Sequence, residues 1–346
     1  MNATPRSTLK ELDDTEVRPR LDPAPLPLLS SLTIPSPPSR PALARSAQEY
    51  LVSKGFTAVD LATCAKYLKM VEEHGLRRPK PTYVATRLLL DNPARAKLTK
   101  RDQYARMETH AVAALDLGDV ESARRVVSSL RNVFPESLRL DRLEAMCLEA
   151  QGDHDAALKA YDAILERSPA EQRAMKRRAS CLRAAGRPEA AVDALVEYLD
   201  TFMADVDAWE ALAGLYTELR MYQQAVFCWE EVLVAQPQIP HHHRRMAETL
   251  VTWGGEARLR DARRYYAAAL DMSGATDVRA MYGLVLVDKR LKAEVGKRGK
   301  EKGAEEEDGD LGSNLGEDAA AFLPRFYASA APELKPVVER QLGVKG

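Results

Sequence analysis

A spacing of 34 residues runs through the middle of this chain. Gly118, Gly152 and Gly186 fall on it, as do Ala123, Ala157, Ala191 and Ala225. Pro135, Pro169 and Pro237 form a third column, with Met203 where a further proline would stand. A fixed period of this length specifies a stack of identical supersecondary units rather than one closed core.

Each unit reads physically as two helices. The first spans about 14 residues, Tyr104 to Leu117 in the first unit, and stops at Gly-Asp. Glycine enters the left-handed conformation that ends a helix without a steric penalty. In the second helix, Ala123 and its equivalents mark where the two backbones cross closely. Val127, Tyr161, Leu195 and Trp229 follow, then Leu130, Ile164, Tyr198 and Val232 three residues on, which makes one apolar stripe. Proline then prevents the helix from continuing. Trp209, Leu212, Ala213, Tyr216, Tyr222, Ala225, Trp229 and Pro237 in the fourth unit reproduce the tetratricopeptide pattern, whose length is 34. The fold class expected is all-α, a tetratricopeptide-repeat superhelical solenoid with a disordered Pro-rich N-terminus.

Residues 1–42 hold nine of the twenty prolines and too little apolar surface to offset ordering, so they are expected to be disordered. Residues 43–102 read as N-terminal capping helices: Ala42 to Lys54, Ala58 to His74 and Tyr83 to Asp91. The solenoid is expected over 103–291, with about five repeats and a partial sixth whose first helix is Val278 to Leu291. In the fifth unit the turn from Trp253-Gly254-Gly255 to Arg260 is read as three residues longer. Residues 292–318 read as a charged flexible insertion, basic from Lys292 to Lys302 and acidic from Glu305 to Asp318. An acidic interaction tail is the alternative there. Residues 319–346 are expected to hold the C-terminal helices Ala319 to Tyr327 and Pro332 to Gln341.

Composition excludes several classes. The net charge of −1 gives no overall field for nucleic acid or a membrane surface. The longest apolar runs, such as Met281 to Val287, fall well short of a membrane span. Prolines break Leu26 to Ile34, so no signal-peptide helix is expected. Cys147 and Cys181 are 34 apart and read as one buried packing column. With Cys64 and Cys228, they favour a reducing compartment, the cytosol or nucleus.

No constellation for catalysis stands out, and neither a cofactor nor a metal is expected. His241, His242 and His243 are adjacent and point about 100° apart on a helix, so they do not converge on a metal; they read as a solvent-facing helix start. The Gly296 to Lys300 stretch follows no strand and is no phosphate loop. Glu230 and Glu231 read as solvent-facing.

The informative polar residues lie on first helices. Arg139 and Arg142 are one turn apart, and Arg173 and Lys176 repeat them 34 residues later. Arg177, Arg178 and Arg183 extend the cluster. First helices line the concave side of such a stack, so these residues form a stripe suited to an acidic peptide. An ordinary solvated face is the plainer reading. In the fourth unit Asp207 and Glu210 reverse the sign, which suits a partner of ordered charge. Tetratricopeptide co-chaperones grip acidic chaperone termini with lysine, arginine and asparagine. The asparagine positions here hold Val112, Met146, Ser180, Gly214 and Glu248, so that clamp is not reproduced.

Beyond the period, specific stretches carry a resemblance. They are Ala113 to Asp116, Arg142 to Met146, Ala160 to Glu166, Lys176 to Arg178, Glu197 to Leu199, Ala208 to Ala213 and Ala225 to Glu231. Gly254-Gly255 followed by Ala262 to Tyr266 completes the set. Over roughly 103–291 the chain resembles the family of subunit 2 of the endoplasmic reticulum membrane protein complex. The resemblance implies a non-catalytic scaffold on the cytosolic face of that membrane, with no span of its own. Its partners would be cytosolic segments of membrane-spanning subunits and a globular cytosolic subunit. Insertion of transmembrane helices would belong to the whole complex. A soluble co-chaperone or other peptide-binding adaptor is the alternative. From another class, so is an enzyme-associated subunit with a site in the N-terminal helices.

Overall fold

The computed structural model describes residues 61–92, 98–298, 315–330 and 335–342. The Pro-rich stretch 1–42, the expected helix Ala42 to Lys54 and residues 299–314 of the expected insertion lie outside them. Among the described residues all regular structure is helical, and the fold is an all-α tetratricopeptide solenoid. The chain divides into an N-terminal unit, described over 61–194, and a C-terminal unit, described over 195–342.

In the N-terminal unit, α1 (Leu61–Glu73) and α2 (Pro79–Asp91) form a hairpin around Cys64, Tyr67, Leu68, Val71, Ala85 and Leu89. α2 packs on α3 (Lys100–Asp116), which pairs with α4 (Val120–Arg131). α5 (Leu138–Ala150) pairs with α6 (His154–Arg167). α7 (Gln172–Ala184) then leads to α8 (Pro188–Thr201), within which the two units divide. α3 begins four residues before Tyr104 because Thr99 and Asp102 make a reciprocal capping box.

Gly118, Gly152 and Gly186 all have positive φ, at 79°, 83° and 74°. At each, the next residue's N–H bonds back to the carbonyl five residues earlier, as from Asp119 to Ala114 and Asp153 to Leu148. Asp119 and Asp153 then cap the following helix by accepting from the Ser122 and Ala156 N–H groups, both at 3.1 Å. The dipeptide thus ends one helix and starts the next. The crossing alanines 123, 157, 191, 225 and 262 are fully buried. All four cysteines are buried and unbridged, and burial pushes the Cys147, Cys181 and Cys228 thiols up.

The C-terminal unit continues with α9 (Val206–Glu218), α10 (Tyr222–Ala235), α11 (Pro240–Trp253), α12 (Glu256–Met272) and α13 (Val278–Arg298). α14 (Leu315–Ala330) packs on α13, and α15 (Lys335–Leu342) on α14. Trp209 and Trp229 are buried, and the Trp209 indole donates to the Met203 carbonyl at 2.9 Å. Gly283 has a packing reason for its identity: a Cβ there would sit 2.3 Å from the Tyr266 ring.

Four expectations are corrected here. The fifth turn is not lengthened; it is only Gly254-Gly255, and the extra residues extend α12 to 17. α13 does not stop at Leu291 but runs to Arg298, into the stretch expected to be flexible. The histidines are not all solvent-facing: His242 is 4% exposed and His243 6%. Trp229 lies beside His242, and Tyr265 lies beside His243. Glu230 and Glu231 are half-buried, and Glu230 Oε1 is sealed with no hydrogen-bond partner.

Candidate functional site

The period places residues 34 apart at equivalent points on successive first helices. Arg139 on α5 and Arg173 on α7 are such a pair, as are Glu108 on α3 and Arg142 on α5. In the N-terminal unit these side chains meet around a groove of about 270 Å³. Its floor is apolar, made by Val71, Leu76, Val112, Ala113 and Leu143. Thr82 and Thr109 add hydroxyls. Five arginines line it: Arg77, Arg78, Arg139, Arg142 and Arg173, against two carboxylates, Glu108 and Asp116.

Most of these charges are already engaged. Arg77 forks onto Asp116, with Nε 2.9 Å from Oδ2 and Nη2 2.5 Å from Oδ1. Arg139 Nη2 donates to Glu108 Oε2 at 2.5 Å, although the Arg139 side chain is 65% exposed. Arg142, 11% exposed, donates to Glu171 Oε1 at 2.7 Å. Glu171 also caps α7 by accepting from the Ala174 N–H. Arg173 is exposed and has no carboxylate partner among the described residues.

The structure therefore gathers Arg139, Arg142 and Arg173 and leaves the other stripe residues outside the groove. Arg177 donates to Glu149 at 3.4 Å, and Arg178 Nε lies 2.9 Å from Asp162. Lys176 is half-buried and Arg183 exposed, both on α7. Asp207 and Glu210 lie on α9 in the C-terminal unit, where Glu210 Oε1 is 3.0 Å from His242 Nδ1. Arg77 and Arg78 were not anticipated. They precede α2, ahead of the first repeat, so no column announces them. The one signal available was two consecutive arginines immediately before a proline.

The N-terminal helices contain one pairing that suggests chemistry. Thr86 Oγ1 lies 2.9 Å from His110 Nδ1, and Tyr83 stacks on the imidazole while donating to Asp119 at 3.0 Å. The Thr86 hydroxyl also faces the Thr82 carbonyl at 2.8 Å, and Thr86 is fully buried. His110 is buried beside it. Burial also holds the His110 pKa below its ordinary value, so the ring stays neutral in the core. Among the described residues no group of three or more His, Cys, Asp or Glu side chains is arranged to hold a metal.

Repeated helix hairpins around one groove define a tetratricopeptide-repeat protein. The model of the EMC2 TPR-like repeat domain family matches residues 128–253, inside the 103–291 stretch that carries the resemblance. ER membrane protein complex subunit 2-B of Xenopus laevis is 35% identical over 185 residues, 54% of this chain and 62% of that protein. ER membrane protein complex subunit 2 of Dictyostelium discoideum is 29% identical over 201 residues, 55% of this chain and 62% of that protein. The chain thus spans about three fifths of the length of these relatives. In fold it is similar to the C-terminal part of a TPR repeat-containing protein from Cytophaga hutchinsonii. That match has a TM-score of 0.52 at 12% identity, covering 79% of this chain and 98% of the other.

Proposed function

We propose that this chain is a non-catalytic scaffold subunit of an endoplasmic reticulum membrane protein complex, held on the cytosolic side by its partners. The observation that carries the reading is the family match over 128–253, together with relatives named as subunit 2 of that complex. A groove lined by first helices is the kind of surface on which such a stack holds a partner segment. No described helix is long and apolar enough to cross a membrane, which fits attachment through other subunits. The arginines of the N-terminal unit supply the electrostatic contacts, and the partners are cytosolic segments of membrane-spanning subunits and a globular subunit. Insertion of transmembrane helices is an activity of the assembly. The test is affinity purification of the tagged chain from detergent-solubilised membranes, with mass spectrometry of what co-elutes. Several membrane proteins in constant ratio are expected. Recovery of a lone cytosolic monomer overturns the proposal in favour of a free peptide-binding adaptor.

A further inference from the structure

The groove of the N-terminal unit has an apolar floor, a basic rim and its own carboxylates on that rim. At about 270 Å³ it lies just under the range of sites that enclose a cofactor or drug-sized molecule, which runs from ~300 to ~1,000 Å³. It suits one or two side chains. We infer that it takes a short partner segment carrying one large apolar residue flanked by carboxylates, and that Glu108 is an internal competitor which that segment displaces from Arg139.

The floor argues for the apolar anchor. Leu76 and Val112 keep part of their side chains exposed above the buried Val71 and Leu143, so an incoming leucine or phenylalanine removes apolar surface from water on both sides. The rim argues for the carboxylates. Arg173 is uncommitted, and Arg139 stands at the equivalent position one repeat earlier. A guanidinium carries five N–H donors, and Glu108 engages Arg139 through one nitrogen only. Because Arg139 is largely exposed, that pair is weak enough to exchange. Arg77 is different: its two-pronged contact with Asp116 holds it in place as a wall of the groove. A basic segment finds only Glu108 and Asp116, both already neutralised.

This inference rests on the scaffold reading for the source of the segment, and the test separates the two. The purified full-length chain is titrated against a fluorescein-labelled peptide with a single leucine between pairs of glutamates, and binding is followed by anisotropy. Arg173→Glu is expected to weaken binding about tenfold. Replacing the peptide's leucine by serine is expected to do the same. Glu108→Gln is expected to tighten binding about threefold, because the competitor is removed. Circular dichroism of each variant checks that the fold is kept. Unchanged or weaker binding in Glu108→Gln overturns the displacement. Equal binding of a lysine-substituted peptide, or no binding of the acidic one, overturns the inference as a whole. If the acidic peptide fails while membrane partners still co-purify, the inference falls and the scaffold stands. If it binds while none co-purifies, the scaffold falls and the groove chemistry stands.

Discussion

In the N-terminal unit the turns that follow α3 and α5 read Gly118-Asp119 and Gly152-Asp153. In the C-terminal unit the corresponding turns read Arg220-Met221 and Gly254-Gly255. Arg220 nonetheless adopts φ 61°, because Met221 N–H makes the same bond back to Tyr216 that Asp153 makes to Leu148. Met221 has no side-chain oxygen with which to cap α10. The Arg220-Met221 turn therefore keeps the shape without either residue that favours it. What offsets this is packing: its core holds Trp209, Trp229, Tyr216, Tyr265 and Tyr266. The hairpin can be specified by turn chemistry or by aromatic burial, and the two units weight these differently.

Charge follows the same division. Most arginines of the N-terminal unit meet carboxylates at or near its surface, whereas the C-terminal unit also takes an arginine inside. Arg244 is buried and bonded to Asp277 at 2.9 Å and Glu248 at 2.6 Å. Burial, with the neighbouring Glu231 charge, raises the Glu230 pKa to about 7.

Removing the aromatic core should break the comparison most visibly. Trp209→Ala is expected to destabilise by about 3–5 kcal/mol, while Met175→Ala, the equivalent residue one repeat earlier, should fall near ~2–3 kcal/mol. Chemical denaturation of both variants measures the difference. Equal losses would mean that the units do not differ in aromatic dependence.

Exchanging the turns is the next test. Gly152→Ala should cost about 1–2 kcal/mol, since a Cβ is disfavoured at positive φ. Arg220→Gly should stabilise by roughly 0.5–1 kcal/mol, the relief of strain less the greater freedom of glycine in the unfolded chain. Melting temperatures that move the same way in both variants would deny the turn argument.

The smallest effect concerns pH. The folded chain retains the Glu230 proton between the ordinary 4.5 and about 7, and the unfolded chain releases it. The stability this contributes is complete below pH 4.5 and is lost as pH rises through 7. Glu230→Gln should therefore match the parent melting temperature near pH 5 and exceed it by a few degrees at pH 8. His110 in the other unit, depressed by burial, acts in the opposite sense and loses stability as pH falls below 6.5. A gain in Glu230→Gln that is uniform across pH would sever the link to ionisation.

Sequence reading succeeded where the determinant is local. The crossing alanines, the glycine turns and the cysteine column are properties of single positions, and spacing alone places them. It failed where the partner comes from another helix. No carboxylate lies between Arg173 and Arg187 in the chain, yet Glu149 on α5 and Asp155 and Asp162 on α6 reach Arg177, Arg187 and Arg178. The stripe therefore looked more exposed than it is. His242 and His243 were misjudged for the same reason, since Trp229 and Tyr265 lie on α10 and α12. Arg77 and Arg78 escaped because a periodic argument is silent ahead of its first period.

The 17-residue α12 shows how such a chain changes length. Ala225 and Ala262 are 37 apart instead of 34, yet Ala262 is as fully buried as its predecessors. Three more residues lengthen a helix by about 4.5 Å and a little under one turn. Added ahead of the crossing point, they extend the start of α12 and leave the later contacts where they were. Arg258, over the Trp253 ring at 3.7 Å, tucks that extension against the preceding helix. Insertions at the mouth of a second helix are thus silent to the rest of the stack. A search that demands constant spacing will stop counting one hairpin too soon.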